Sequence, residues 1–355
     1  MEVNFDLILA GCNTQCMHCY VNGGPGPLMP TDDALKCIER LDELASALPY
    51  PASFTLDNEP FNHPDIAAII RAASSTRHIS YFHHGMTTGI ALMRRNDRDA
   101  VIRAYFEAGY DEFGITLHGS PAHHDAIVRR NGACRTALEA AEYMKACGAR
   151  ISVSLMLNRF FREDAEEIDR ALVRLDPASV YFAVPNYTPH ARMPEFEACR
   201  ASLDDLRALA PWLARWRQDV DECLCTAGQH TVGAAAERLA QGLSLRALFQ
   251  EEQQEQYLTV HQDGRLYMGN TGTETFLLGD LKTVDIARTA DRIRRSPGNR
   301  DYGAFYDISR LPDEEALLNA LRQLPAALLY SDLASVLYRG LAELGIPTKI
   351  IACPA

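Results

Sequence analysis

The stretch Gly11-Cys12-Asn13-Thr14-Gln15-Cys16-Met17-His18-Cys19-Tyr20 puts three cysteines within eight residues, spaced Cys-x3-Cys-x2-Cys. It directly follows residues 3–10, an apolar run that reads as a first strand, and it precedes a helical pattern over 31–47. Three thiolates on one loop can hold three irons of a [4Fe–4S] cube and leave the fourth iron open to a small ligand. The competing reading is zinc. A structural zinc site needs a fourth ligand and commonly pairs two Cys-x2-Cys elements, and no second pair follows at that spacing.

Working outward, five more strand candidates lie at 53–57, 79–84, 112–118, 150–157 and 179–185. Each is short, rich in β-branched or aromatic residues, and bounded by turn residues. Helical patterns alternate with them at 64–74, 97–108, 134–146 and 163–174. Thr31-Asp32-Asp33 reads as an N-cap with an acidic first turn. Six strand-then-helix units predict an α/β fold with parallel strands and right-handed crossovers. Eight units close a barrel, so six predict an open, partial (β/α)6 barrel. In such folds the chemistry sits at the C-terminal ends of strands, which is where the cysteine loop falls.

The pattern changes after about residue 187. The expected division is a partial barrel over 1–190 and a C-terminal α+β extension over 191–355. The extension shows helical stretches at 203–219 and 230–252, a hairpin over 257–267 turning at Gln262-Asp263-Gly264, and helical segments running on to Gly345, including 332–344.

Composition excludes some classes. The chain has 355 residues and a net charge of −12, from 35 Lys+Arg against 47 Asp+Glu. Such a balance gives no general attraction to nucleic acid or an anionic membrane. No apolar run is long enough to span a bilayer, and the first residues lack the basic and cleavage features of a signal peptide. The cytoplasm is the expected compartment. Ten cysteines there do not read as a disulfide framework.

The cysteine loop resembles that of the radical S-adenosylmethionine (SAM) superfamily, whose signature is Cys-x3-Cys-x-aromatic-Cys after the first barrel strand. Cys12, Cys16, His18 and Cys19 match it. The resemblance implies a radical SAM barrel in which the open iron binds the amino and carboxylate groups of SAM. One electron then cleaves SAM to a 5′-deoxyadenosyl radical that takes a hydrogen atom from the substrate. An external donor such as flavodoxin or ferredoxin is implied, and His18 would lie near the adenine. Asp57-Asn58-Glu59-Pro60 stands where the family usually has Gly-Gly-Glu-Pro. Asp57 and Glu59 are therefore expected at the SAM amino group, although both glycines are replaced. Thr87 in Thr87-Thr88-Gly89 and Thr116 at the end of the fourth strand match further SAM-contacting positions. In the loop after that strand, Arg129 or Arg130 would pair with the SAM carboxylate, with Arg130 taken as the candidate and a solvated arginine as the plain alternative. Ser154 and Asn158 would contact the ribose, the alternative for Asn158 being a helix cap. Arg192 would reach SAM or substrate.

The segments around Cys225, 259–269 and 278–281 resemble the SPASM or shorter "twitch" extension of that superfamily, which carries auxiliary clusters. The positions where its cysteine follows the Asp-Gly turn hold Met268 and Asn270. A degenerate extension that lost its clusters and covers the substrate is the preferred expectation. An auxiliary cluster on Cys223, Cys225 and Cys353 is the alternative. His83, His84 and His118 are expected near the cavity mouth, as satisfied or substrate-contacting histidines. With no built-in electron acceptor and an N-terminus that begins almost at the first strand, the expectation is redox-neutral radical chemistry on a small-molecule substrate of specialised metabolism: epimerisation, dehydration, decarboxylation or rearrangement. A peptide maturase is the second reading, and a non-catalytic Fe–S scaffold the third.

Overall fold

The computed structural model describes residues 2–189, 192–246, 255–269, 276–295 and 311–347. Strands β1 (Glu2–Ile8), β2 (Ala52–Asp57) and β3 (Ile79–His84) pair in parallel, as do β4 (Glu112–Leu117), β5 (Arg150–Met156) and β6 (Ser179–Ala183). A single parallel bridge, Thr87 to Ile115, links the two triplets. Chain order is thus sheet order, and the helices α1 (Thr31–Ala47), α2 (Ile66–Ala73), α3 (Ile90–Arg94), α4 (Arg98–Glu107), α5 (Pro121–Val128), α6 (Ala133–Ala146) and α7 (Phe161–Leu175) fill the crossovers. This is the α/β partial barrel that the alternation predicts.

Strand faces explain the layering. Val3, Phe5 and Leu7 of β1 are buried among Ile38, Leu41 and Leu44 of α1 in the main core. The alternate residues Asn4 and Asp6 face the barrel interior. One detail departs from expectation. Thr31 is the first helical residue of α1 rather than its cap, and its hydroxyl donates to Asp65 Oδ2 at 2.6 Å. Asp32 and Asp33 do form an acidic first turn.

The hairpin forms, and its place is informative. β7 (Glu255–Val260) joins the free edge of β1 in parallel, with Asp6 opposite Thr259. β8 (Arg265–Met268) and β9 (Phe276–Asp280) continue the sheet antiparallel, giving the order β3-β2-β1-β7-β8-β9. This part of the C-terminal region therefore widens the barrel sheet and protects the edge of β1. The helical stretch expected at 203–219 is two short helices, Leu203–Ala208 and Ala210–Arg215, broken ahead of Pro211. The stretch at 230–252 begins at Val232–Ala240, and its last residues lie outside the described ones. A further helix, Val220–Gln229, was not anticipated.

Leu206, Leu213 and Ala227 tie three of these helices to the main core, whereas Val232, Ala235 and Leu239 build a second core with Tyr187, Met193, Phe196, Leu317 and Leu337, against which Met17 of the cysteine loop packs. Its polar anchor is buried Arg200. The guanidinium pairs with Glu197 at 2.7 Å, donates to the carbonyls of Pro185 and Leu329, and lies 4.0 Å over the Tyr330 ring. Glu197 also meets Arg339 at 3.3 Å. Among the described residues no helix is long and apolar enough to cross a membrane. Glu197→Ala, which leaves the buried Arg200 guanidinium without a carboxylate while Arg339 keeps Glu343, is expected to destabilise the protein by about 3–5 kcal/mol. Val173→Ala, on an exposed side chain, should stay within about 0.5 kcal/mol; urea unfolding of the full chain measures both.

Candidate active site

The loop after β1 is held from several sides before its cysteines are considered. Cys12 N–H donates to Gly24 O at 2.7 Å. A Cβ on Gly11 would lie 2.3 Å from Gly26 N and 2.5 Å from Gly24 O, so only glycine lets the loop close there. Asn62 Nδ2 donates to Gly11 O and Arg130 Nη1 to Asn13 O, each at 2.7 Å. The N–H groups of Gln15 and Met17 donate to the carbonyls of Val128 and Ile127 at the end of α5. Arg192 Nη2 donates to Gly23 O and Asn22 Oδ1, both at 2.7 Å.

Thr14 Oγ1 lies 3.3 Å from Cys12 Sγ and 3.4 Å from Cys16 Sγ, and Gly23 N–H donates to Cys19 Sγ at 3.1 Å. Burial pushes all three thiols up, Cys12 to about 11 and Cys16 to about 12. Arg192 pulls the other way at Cys16 and Cys19. Free thiols there stay protonated at neutral pH, so thiolates require a strongly cationic partner such as iron. Gly23 leaves space for one: a Cβ on it would lie 3.3 Å from Cys19 Sγ and 3.5 Å from Cys12 Cβ. Three soft donors, a Thr14 hydroxyl that can donate to the sulfur of Cys12 or Cys16, the Gly23 N–H on Cys19 and this glycine gap fit a cluster held by Cys12, Cys16 and Cys19.

The loop roofs a cavity of about 440 Å³ at the C-terminal ends of the strands. One level of strand side chains faces it: Asp6, Thr55 and His83 are register partners across β1–β3, and Thr116 and Ser154 across β4–β5. Asp57, Asn58, Thr87 and Met156 form the next level, with Tyr20 and Tyr257 at the side. The Asp57 carboxylate raises the pKa of the Tyr20 phenol. His18 Nε2 lies 2.6 Å from His118 Nε2, so one ring donates to the other. His118 and His124 are buried, and desolvation depresses both, His124 to about 4. No lysine or arginine lines the cavity among the described residues.

Of the residues predicted from sequence, Cys12, Cys16, Cys19, His18, Asp57, Thr87, Thr116 and Ser154 meet at this wall. Glu59, Arg130 and Asn158 do not line it. Glu59 is fully buried, and its carboxylate accepts from Thr87 Oγ1 at 2.9 Å, Thr88 N–H at 2.8 Å and Thr88 Oγ1. It joins the ends of β2 and β3. Burial pushes its pKa up and these donors oppose the shift. Arg130 is spent on Asn13, and Arg129 pairs with Glu195. Asn158 Nδ2 donates to His118 O at 2.7 Å while its Oδ1 accepts from Phe160 N–H; it closes the turn ahead of α7 without capping it, since the N-cap is Phe160 and no side chain caps that helix. Of the three strand histidines, His83 and His118 face the cavity, whereas His84 packs against Phe61 and bonds the Tyr105 hydroxyl.

Cys223 and Cys225 sit two apart on one helix. Cys223 packs against the core and Cys225 is exposed, so they do not converge. Met268 is buried in the sheet, while Asn270 and Cys353 lie outside the described residues. Sequence reading missed Asp6, Thr55, Asn58, His124 and Tyr257. A signal existed for Asp6: strands buried on both faces read as nearly continuous apolar runs, and Asn4 and Asp6 interrupt one.

Residues 7–172 match the family model described as the Radical SAM superfamily. These residues form a radical SAM domain, the domain of enzymes whose cofactors are a [4Fe–4S] cluster and SAM. Solved structures share its fold. One is native anSMEcpe with bound AdoMet and a peptide, 13% identical, covering 97% of this chain and 96% of that one at a TM-score of 0.57. Another is Streptococcus suis SuiB bound to S-adenosylmethionine, 11% identical, covering 94% of this chain and 77% of that one at a TM-score of 0.55. SuiB bound to its precursor peptide SuiA matches at 0.53, with 11% identity and coverage of 94% and 76%. No curated protein matches the sequence.

Alanine in place of Cys12, Cys16 or Cys19 should remove the visible absorbance of anaerobically reconstituted protein and its iron, about four per chain in the parent. Arg192→Ala should keep the ligands but loosen their loop, so that a chelator strips iron severalfold faster. The buried histidines set a pH dependence of stability. His84 and His124 titrate at about 3 and 4 when folded, against 6.5 otherwise. The unfolded chain therefore binds more protons as pH falls through 6.5, and stability declines until the folded pKa values are reached. The loss is on the order of 1.4 kcal/mol per pH unit for each histidine still neutral; urea midpoints between pH 7 and 5 report it.

Proposed function

We propose that this chain cleaves SAM to abstract a hydrogen atom from a small, neutral or cationic molecule in specialised metabolism, in a redox-neutral conversion such as epimerisation, dehydration, decarboxylation or rearrangement. The observation that carries this reading is the cavity wall: Asp6 and Asp57 are its charged groups among the described residues, with no lysine or arginine beside them. A phosphate or carboxylate substrate would enter there uncompensated, whereas an amine or a polyol meets acceptors. A volume of about 440 Å³ lies in the lower part of the range for small-molecule sites, and SAM takes much of it.

When bound, the cluster and SAM supply the electron transfer and the abstracting radical. The chain's own residues hold and orient. Cys12, Cys16 and Cys19 bind the cluster, and His18, steadied by His118 and by Phe196 edge-on at 5.4 Å, presents a flat face for the adenine. Thr116 and Ser154 offer hydroxyls to the ribose. We assign residues 191–355 to a degenerate SPASM/twitch-like extension. The divergence of Cys223 from Cys225 supports a single cluster, and so an external flavodoxin- or ferredoxin-like donor and a cytoplasmic setting.

A peptide substrate is the second reading. It is favoured by the length of the fold match to proteins solved with bound peptides, and it would offer one side chain to the same cavity. Incubation with SAM, dithionite and deuterated candidates separates the two. Deuterium should appear in 5′-deoxyadenosine with a small amine or polyol. Transfer from peptides alone would establish the second reading instead.

A further inference from the structure

The cysteine loop is flanked by opposite charges. The cavity that it roofs carries the carboxylates of Asp6 and Asp57 and, among the described residues, no lysine or arginine. Arg192 reaches the loop from outside that cavity. It is the N-cap of the short helix Met193–Glu197. Its Nη2 donates to Gly23 O and to Asn22 Oδ1 at 2.7 Å each, and its Nε donates to Asn22 Oδ1 at 3.2 Å. Both acceptors are neutral. Glu195, on the same helix, is engaged by Arg129, and among the described residues no carboxylate pairs with Arg192.

Gly23 is also a partner of Cys19. Its N–H donates to Cys19 Sγ at 3.1 Å, so a single residue lies between the guanidinium and the sulfur. Two hydrogen bonds and one backbone residue place the two within about 10 Å of each other. Reducing a cluster held by Cys12, Cys16 and Cys19 adds one negative charge beside Asp6 and Asp57, and those carboxylates oppose it. An unmatched cation at this range favours the extra electron by about tenfold in equilibrium, for an effective dielectric of about 20. The potential of an iron–sulfur cluster follows the net charge around it, and Arg192 is the cation placed to supply the balance.

We propose that the unmatched charge of Arg192 raises the reduction potential of the cluster held by Cys12, Cys16 and Cys19, and so eases its reduction by the external donor. Arg192 acts through the loop and is not a ligand. The guanidinium that the resemblance sends to SAM or substrate serves the incoming electron instead. The inference rests on the cluster assignment above and is independent of the substrate.

The test needs neither SAM nor substrate. Anaerobically reconstituted full-length parent, R192K and R192Q are compared for iron content and, by EPR during a mediated redox titration, for the midpoint potential. R192K keeps the charge, and R192Q loses it while keeping an amide donor for the loop. At parental iron content, R192Q should show about a tenfold weaker reduction equilibrium, a downward shift of about 59 mV for one electron, and R192K should stay within about a third of that shift. A parent that assembles no cluster would refute the assignment of the three cysteines, and this inference with it. With the cluster present, a potential that is the same in R192Q as in the parent, or that falls equally in R192K and R192Q, would overturn this inference alone. Should R192Q lose iron, R192K decides. A parental potential there upholds the role of the charge, and a tenfold weaker equilibrium at full iron content would sink it.

Discussion

Three thiols buried within one short loop are the constraint around which this molecule is arranged. Desolvation alone holds such groups protonated, as the pKa values of Cys12 and Cys16 near 11 and 12 express. The loop therefore stores no favourable electrostatics of its own and must be shaped by contacts elsewhere. Those contacts come from every neighbouring element. Gly24 closes the loop on itself, Asn62 reaches it from the turn after β2, Val128 and Ile127 receive it at the end of α5, and Arg130 and Arg192 grip its carbonyls. Side chains that resemblance would send to the cofactor are thereby used to set the loop that carries it.

The same economy recurs around the cavity. Glu59 and Asn158 each occupy the end of a strand, each is fully buried, and each spends its hydrogen bonds on the neighbouring strand end. Parallel strands end in unpaired backbone groups and splayed loops, so a partial barrel needs such ties wherever ligands bind. Polar residues at strand ends are consequently ambiguous from sequence. Thr116 and Ser154 point inward, whereas Asn158, two residues past β5, turns back into the fold.

That ambiguity marks the limit of what sequence conveys here. The barrel was legible because its signals are local: period-2 runs, helical stripes and the turn residues between them, with β3 and α1 read at their observed bounds. The cysteine loop was legible because spacing is itself the chemistry. The edge partnership of β1 with β7 was not, since Tyr257 stands 253 positions after Asn4, with nothing more specific to join them than two apolar strands. Nor was the helix Val220–Gln229, whose mixed sequence around two cysteines suggests ligands more than a helix. Arg130 and Arg192 were visible as cations near the site, but only coordinates show that their charge is directed at main-chain oxygens.

Joining β7 to β1 also bears on how the C-terminal region acts. A lid that merely lay over the barrel mouth could be gained or lost without touching the sheet. Here the hairpin is hydrogen-bonded to the strand that launches the cysteine loop, and Asp6, on the cavity floor, has Thr55 on one side and Thr259 on the other. Changes in the hairpin therefore reach the cavity through β1. Yet Tyr257 is the sole residue beyond β5 on the cavity wall among those described. Among the described residues, then, the link from this region to the site runs through the position of β1, and with it the spacing between Asp6, Asp57 and the cysteine loop.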